Sequence, residues 1–360
     1  MKIIDKFKTL SRLLPYNRGP RIFSFHDCLP DVFSSYIELL VYKRYKILDS
    51  HELLERLDLR GSANNKAKRE REVVLTFDDG RRNCWTVIFP LLKKYKVKAI
   101  LFVIPSRIKD TNEYYPNLED YWAGRISWEN LYSSHRREPY LTLKELEVMN
   151  SSGLVDIQSH SLKHTVARVS SKVVDFQHPG VYEMPVYFDE WIDAGMPLLD
   201  YQWGVPVYEH VWSPLASNVY VPDRRADTLM NEFVKKNGGF LFFKNKRWRS
   251  RLYEYYSFQR KACGAGHFKR NASDETVRAS LVESKAWIEK KLKKSCQFFS
   301  LPFYQGTCDT LELADQAGYK AVFTGPKDFE AGHRYLRHKQ DRPFLLTRIS
   351  SFWIKFLSYL

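Results

Sequence analysis

Three times along this chain a β-rich apolar run and a helical pattern follow one another closely. "VVLTFDDG" (73–80) leads into "NCWTVIFPLLKKYKVKAILFVIP" (83–105), a helical pattern that ends in the strand-like "KAILFVI". "LTLKELEVMNSSGLVDIQSHS" (141–161) opens with Thr142-x-x-Glu145, a capping box, and closes its helix at Gly153 before the run "LVDIQSH". "SCQFFSLPF" (295–303), "DTLELADQAG" (309–318) and "YKAVFTG" (319–325) repeat the order. Strands joined through a helix cannot pair as hairpins, so the units predict a parallel sheet and an α/β fold. No GxGxxG turn accompanies them, which points to a barrel-like or open sheet without a dinucleotide site. In such folds chemistry gathers at the C-terminal ends of the strands, where "FDDG" and "QSHS" both fall.

The repeat breaks down between His164 and roughly Arg270. From Val173 to Asp223 the chain holds eight acids and no Lys or Arg, whereas 241–270 holds nine basic residues against Glu254 alone. The net charge of the whole is +15, so this acidic, aromatic stretch followed by a basic one reads as an insertion. Five scattered cysteines (Cys28, Cys84, Cys263, Cys296, Cys308), with no CxxC pair, argue against a disulfide framework and for a reducing compartment. No apolar run approaches a membrane span, and the charged N-terminus does not read as a secretory signal. The expectation is a cytoplasmic protein. "KIIDKFKTLSRLL" sets apolar residues near one face with Lys between, and "SFWIKFLSYL" ends the chain, so contact with the inner face of an anionic membrane is a further expectation. The basic and aromatic "FFKNKRWRSRLYEYY" carries no nucleic-acid motif, which ranks nucleic acid last among partners.

Asp78 and Asp79 stand side by side where an apolar strand ends. Two adjacent carboxylates raise each other's cost of ionisation, an objection that a divalent cation removes. "SHSLKHT" supplies His160 and His164; on a helical turn, residues four apart share a face and could reach one ion. Two His and a carboxylate with open positions make a catalytic site rather than a closed structural one.

"LTFDDG" and "SHSLKH", with "LTLKELEVMNSSGLVDI", "FSLPFYQG" and "LELADQAGYKAVFTG", resemble the polysaccharide deacetylases (carbohydrate esterase family 4, the NodB-homology fold). The resemblance covers 21–165 and 271–349. It divides the chain into an amphipathic segment 1–20, a barrel in two parts around an insertion 166–270, and an apolar tail 350–360. It implies a deformed (β/α) barrel and a metal-dependent de-N-acetylase. By motif position Asp79, His160 and His164 would hold the metal, usually zinc, and Asp78 would be the general base. "FSFHDC" resembles the His-Asp segment of a permuted subgroup, which makes His26 the acid that protonates the departing amine. The backbone N–H of Phe303 would stabilise the oxyanion. The family often carries an Arg just before its proline motif to orient the base. Here that stretch is "FFSL", and Arg348 in "LLTRIS" is the candidate replacement, for Asp78 or His26.

The substrate expected on this reading is an N-acetylhexosamine unit in a glycan or a lipid-linked precursor. The insertion would form a lid, with Trp191, Trp203 and Trp212 against sugar faces. Two other readings stand beside it: a catalytically silent carbohydrate- or membrane-binding protein on a deacetylase scaffold, and an amide hydrolase with a non-sugar substrate.

Overall fold

The structure is a computed structural model that describes residues 20–58, 71–179, 203–264, 266–271, 276–325 and 344–357. The N-terminal amphipathic segment up to residue 19, and Trp191, lie outside the described residues. The chain divides into two compact units, one of 1–163 with 277–360 and one of 164–276.

In chain order the first unit begins with β1 (Arg21–Phe25), α1 (Pro30–Tyr42), β2 (Lys46–Ile47), α2 (Ser50–Asp58), β3 (Glu72–Phe77), α3 (Phe89–Tyr95) and β4 (Ala99–Val103). It continues through α4 (Leu118–Trp122), α5 (Trp128–Arg137), α6 (Leu143–Ser151) and β5 (Val155–Ser159). The second unit holds β6 (Val166–Phe176), β7 (Pro206–Trp212), β8 (Asn218–Val221), α7 (Arg225–Lys236), α8 (Trp248–Cys263) and β9 (His267–Arg270). The first unit then resumes with α9 (Val277–Leu292), β10 (Phe298–Ser300), α10 (Cys308–Gln316), β11 (Ala321–Thr324) and β12 (Phe344–Ser350).

Seven parallel strands close a ring in the order β1-β12-β11-β10-β5-β4-β3 and back to β1, while β2 pairs only with the start of β3. The fold is therefore the deformed (β/α) barrel expected. Registers fix which side chains share its interior. Ile22 stands beside both Val74 and Arg348, Ser24 beside Thr76, and Phe323 beside Leu346. Ile22, Val74, Phe102, Phe298, Phe323 and Leu346 fill the apolar part of the barrel, and each such Phe contributes roughly 1.5–3 kcal/mol by leaving water. One step further along the strands the interior turns polar, with Ser24, Thr76 and Ser300 all buried. The helices α1 and α2 and the short β2 were not assigned from sequence. Yet α1 has Pro30 in its first turn and buries Phe33, Tyr36, Ile37 and Leu40 at helical spacing. The C-terminal tail partly packs on this unit: Ile354 and Leu357 are buried, and Phe352 remains exposed.

The turn after β3 is braced from α6. Thr142 and Glu145 form the capping box read from sequence. Glu145 also takes Arg82 Nη1 on both oxygens, at 2.5 and 2.6 Å, and the Tyr115 amide at 2.9 Å. Arg82 is held further by the Glu138 carbonyl and lies over the Tyr115 ring at 3.8 Å. With Arg82 and Glu145 at 1% and 0% side-chain exposure, neither charge has water to fall back on.

The second unit has antiparallel pairs, β6 with β7 and β8 with β9, in place of βα repeats. Phe176, Met230, Val234, Phe242, Trp248, Leu252 and Tyr256 form its own core, with Trp203, Phe233 and Phe243 against it. Much of the aromatic content of the insertion is spent here. Gly204 (φ +85°) admits no side chain, because a Cβ would lie 2.5 Å from Val234 Cγ2.

Removing one partner of the buried Arg82–Glu145 pair strands the other. Glu145→Ala is expected to lower unfolding free energy by about 3–5 kcal/mol in urea titration; a loss under about 1 kcal/mol, the size of a surface pair, would contradict this account.

Candidate active site

Neighbouring residues on a strand point to opposite faces, so Asp78 and Asp79 could not both serve one site if β3 simply continued. Asp78 still belongs to the ladder, its amide donating to the Phe25 carbonyl at 3.1 Å, and it follows the inward parity of Val74 and Thr76. Asp79 then adopts φ 72° and Gly80 φ 69°. Left-handed backbone is costly for a non-glycine residue, and here it swings the second carboxylate toward the same end of the barrel. Gly80 is itself tightly placed: a Cβ there would stand 3.2 Å from Val103 and from Ile108. Both carboxylates are 2% exposed.

His160 follows β5, and its amide donates to the Val103 carbonyl at 2.8 Å. Its Nδ1 lies 2.9 Å from the Ser300 carbonyl oxygen. A carbonyl can only accept, so Nδ1 carries the proton and Nε2 presents its lone pair. That Nε2 is 3.5 Å from Asp79 Oδ1 and 3.9 Å from Asp78 Oδ2. Burial lowers the His160 pKa and outweighs the two carboxylates that raise it, which favours the neutral, ligating form.

His164 reaches the same place by a route other than the helical turn expected. Residues 160–165 form an irregular loop in which Ser161 (φ 70°) and His164 (φ 57°) are both left-handed. The left-handed backbone at Ser161 and His164 is incompatible with the helical turn that the four-residue spacing suggested. One ligand atom each from Asp79, His160 and His164 lies within 4.8 Å of the others, and all three residues are buried. Two donors bound to zinc at tetrahedral angles sit ~3.4 Å apart; the 3.5 Å between His160 Nε2 and Asp79 Oδ1 fits that edge.

Arg348 rises from β12 inside the barrel. Nη1 donates to Asp78 Oδ1 at 2.6 Å and Nη2 to Ser300 Oγ at 2.7 Å. Its guanidinium lies 5.1 Å from the Tyr304 ring centroid and 5.5 Å from that of Phe102. Between the two alternatives read from sequence, Asp78 is the group it touches. Burial alone would raise the Asp78 pKa, but Arg348, then His160, pull it down to about 2. Asp78 is therefore a carboxylate at every working pH, with Oδ1 taken by Arg348 and Oδ2 toward His160.

His26 follows β1 directly, half-buried, in the ladder row next to Phe25 and Phe77, and its charge contributes to the lowering at Asp78. Phe303 (φ 53°) and Tyr304 (φ 59°) are consecutive left-handed residues in the turn after β10. The tryptophans fare differently. Trp212 is wholly buried in the second unit, and Trp203 packs on Phe240 and Phe243 at 5.8 and 5.9 Å. A ring with no exposed face cannot stack on a sugar, so core packing replaces the expected sugar contact at Trp212.

Three contributors were not singled out from sequence. Ser300 occupies the "FFSL" position where an Arg was sought, and it serves as the relay that Arg348 binds. Tyr304 OH lies 3.0 Å from Ser24 Oγ, closing the polar layer. Arg81 Nη2 meets Asp27 Oδ2 at 2.5 Å, tying the His26 loop to the turn after Asp79. Only the last left a sequence signal, a charged residue next to each motif.

Replacing Arg348 by Met removes the cation that keeps Asp78 ionised, so the Asp78 pKa rises. The acidic limb of the kcat/KM profile is expected to move to higher pH, with unfolding free energy reduced by about 3–5 kcal/mol. An unmoved limb in a folded variant would contradict the pairing.

The polysaccharide deacetylase family model matches residues 65–177. No curated protein sequence matches the chain. Among solved structures, the chain is similar to a de-N-acetylase from Aggregatibacter actinomycetemcomitans at 16% identity and TM-score 0.46, over 91% of this chain and 93% of that one. It is similar to IcaB from Ammonifex degensii at 16% identity and TM-score 0.47, over 95% and 97%. The deacetylase domain of BpsB from Bordetella bronchiseptica gives 16% and 0.46, over 91% and 94%. The match at 65–177 spans both aspartates and both histidines, so the candidate site lies within a polysaccharide deacetylase match, the signature of a hydrolase of amide C–N bonds.

Proposed function

We propose that this protein is a zinc-dependent de-N-acetylase that hydrolyses the acetamide of an N-acetylhexosamine unit in a glycan or a lipid-linked glycan precursor. The observation that carries the reading is the convergence of Asp79, His160 and His164 beside an Asp78 held by Arg348. A nitrogen, nitrogen and oxygen donor set suits zinc, and a cation held there supplies Lewis-acid polarisation and acidifies water. Asp78 Oδ2 takes the proton as water oxygen bonds to the acetyl carbon, while Oδ1 stays on Arg348. The Phe303 N–H stabilises the oxyanion. As the C–N bond breaks, His26 gives its proton to the amine, which leaves with acetate as the other product. On this reading His26 takes the role that the resemblance to the permuted subgroup implies. A silent scaffold would have no use for a carboxylate kept ionised beside three metal-ligand side chains. Five free cysteines fit action on a precursor in the reducing cytoplasm.

Acetate release from N-acetylhexosamine oligomers is expected to stop on chelation and return with zinc; release only from N-acetyl amino acids would replace the sugar in this reading. An acid is needed for an amine leaving group and not for a phenolate. His26→Asn is therefore expected to cost about 10²–10⁴ on the acetamide and little on an aryl acetate ester. Equal losses on both substrates would remove His26 from the acid role.

A further inference from the structure

The second unit presents a small apolar tip ringed by positive charge. Between α7 and α8 the chain turns through Gly238 and Gly239, both with positive φ, into a short 3-10 turn, Gly239–Lys244. Four apolar residues follow in a row, and they divide. Phe242 and Phe243 pack into the unit's core, whereas Phe240 and Leu241 are 52% and 62% exposed. From Phe233 to Tyr253 there are seven Lys or Arg and no acid. Lys236 pairs with Glu232, and Arg249 with Asp175. Lys235, Lys244, Lys246 and Arg247 are exposed and have no carboxylate partner among the described residues.

We propose that this tip is a docking surface for an anionic lipid membrane, with Phe240 and Leu241 entering the headgroup–acyl boundary and the basic ring meeting lipid phosphates. Charge complementarity selects an anionic occupant. Size selects a membrane over a second copy of the chain: a stable protein interface needs about 800 Å² from each partner, far more than two side chains supply. Membrane attachment asks for less, a few apolar side chains backed by a cluster of Lys and Arg. A nucleic acid would use the charges but leave Leu241 without a role, since only flat rings stack on bases. The surface lies apart from the catalytic residues in sequence and needs no assumption about substrate.

The test is co-sedimentation of the full chain with vesicles of phosphatidylcholine alone and with 30% phosphatidylglycerol, the two compositions being design choices. Binding is expected only to the anionic vesicles, reduced at least tenfold in Phe240→Ser/Leu241→Ser and in Lys244→Glu/Lys246→Glu, with acetate release from a soluble oligomer unchanged. Both substitutions sit on exposed side chains, and thermal unfolding of each variant confirms the fold. Wild-type binding in the serine variant, whether through charge alone or through another part of the chain, overturns the proposal. So does equal binding to neutral vesicles, or loss of single-stranded DNA binding with vesicle binding intact in the glutamate variant.

Discussion

The contact between Arg348 and Asp78 is the constraint around which the barrel end is organised. A guanidinium and a carboxylate, each almost without solvent, are stable only while each satisfies the other. Arg348 stands in register with Ile22, and Ile22 with Val74, so its side chain must climb past Thr76 to reach Asp78. It does so between the rings of Phe102 and Tyr304, with Ser300 holding its second nitrogen. The pair answers why two aspartates can stand together. One is neutralised by a protein cation, which leaves the other, turned by its left-handed backbone, beside His160 and His164.

Several features were legible because they are local. The β–α alternation gave the parallel sheet, and the capping box at Thr142 and Glu145 gave the start of α6. The Asp-Asp and His-x-x-x-His motifs fall at strand ends, and the side chains of Asp79, His160 and His164 come together there. What was not legible depends on closure of the ring. Asp78 and Arg348 are 270 positions apart, and no periodicity links them; they meet because β1 pairs with both β3 and β12. The helical turn assumed for His160 and His164 failed for a related reason. Spacing allows a shared face, but the left-handed residues that create the actual loop leave no mark in a sequence without glycine.

Trp212 teaches the opposite lesson. An aromatic, acidic insertion in a family that handles sugars invites a carbohydrate reading, and composition alone could not separate that from an aromatic core. The second unit builds its own core largely from aromatic rings, and Trp212 and Phe176 are 0% exposed there. Phe240 and Leu241, with their basic neighbours, are among the apolar residues that remain exposed on this unit.

The central claim is a division of labour between adjacent carboxylates: Asp79 binds the cation and Asp78 handles the proton. Metal content and acetate release measured together on Asp78→Asn and Asp79→Asn test it most directly. The account predicts near-stoichiometric zinc with release reduced about 10²–10⁴-fold in Asp78→Asn, and loss of most of the zinc in Asp79→Asn. Equal zinc loss in both variants, or zinc lost only from Asp78→Asn, would contradict it.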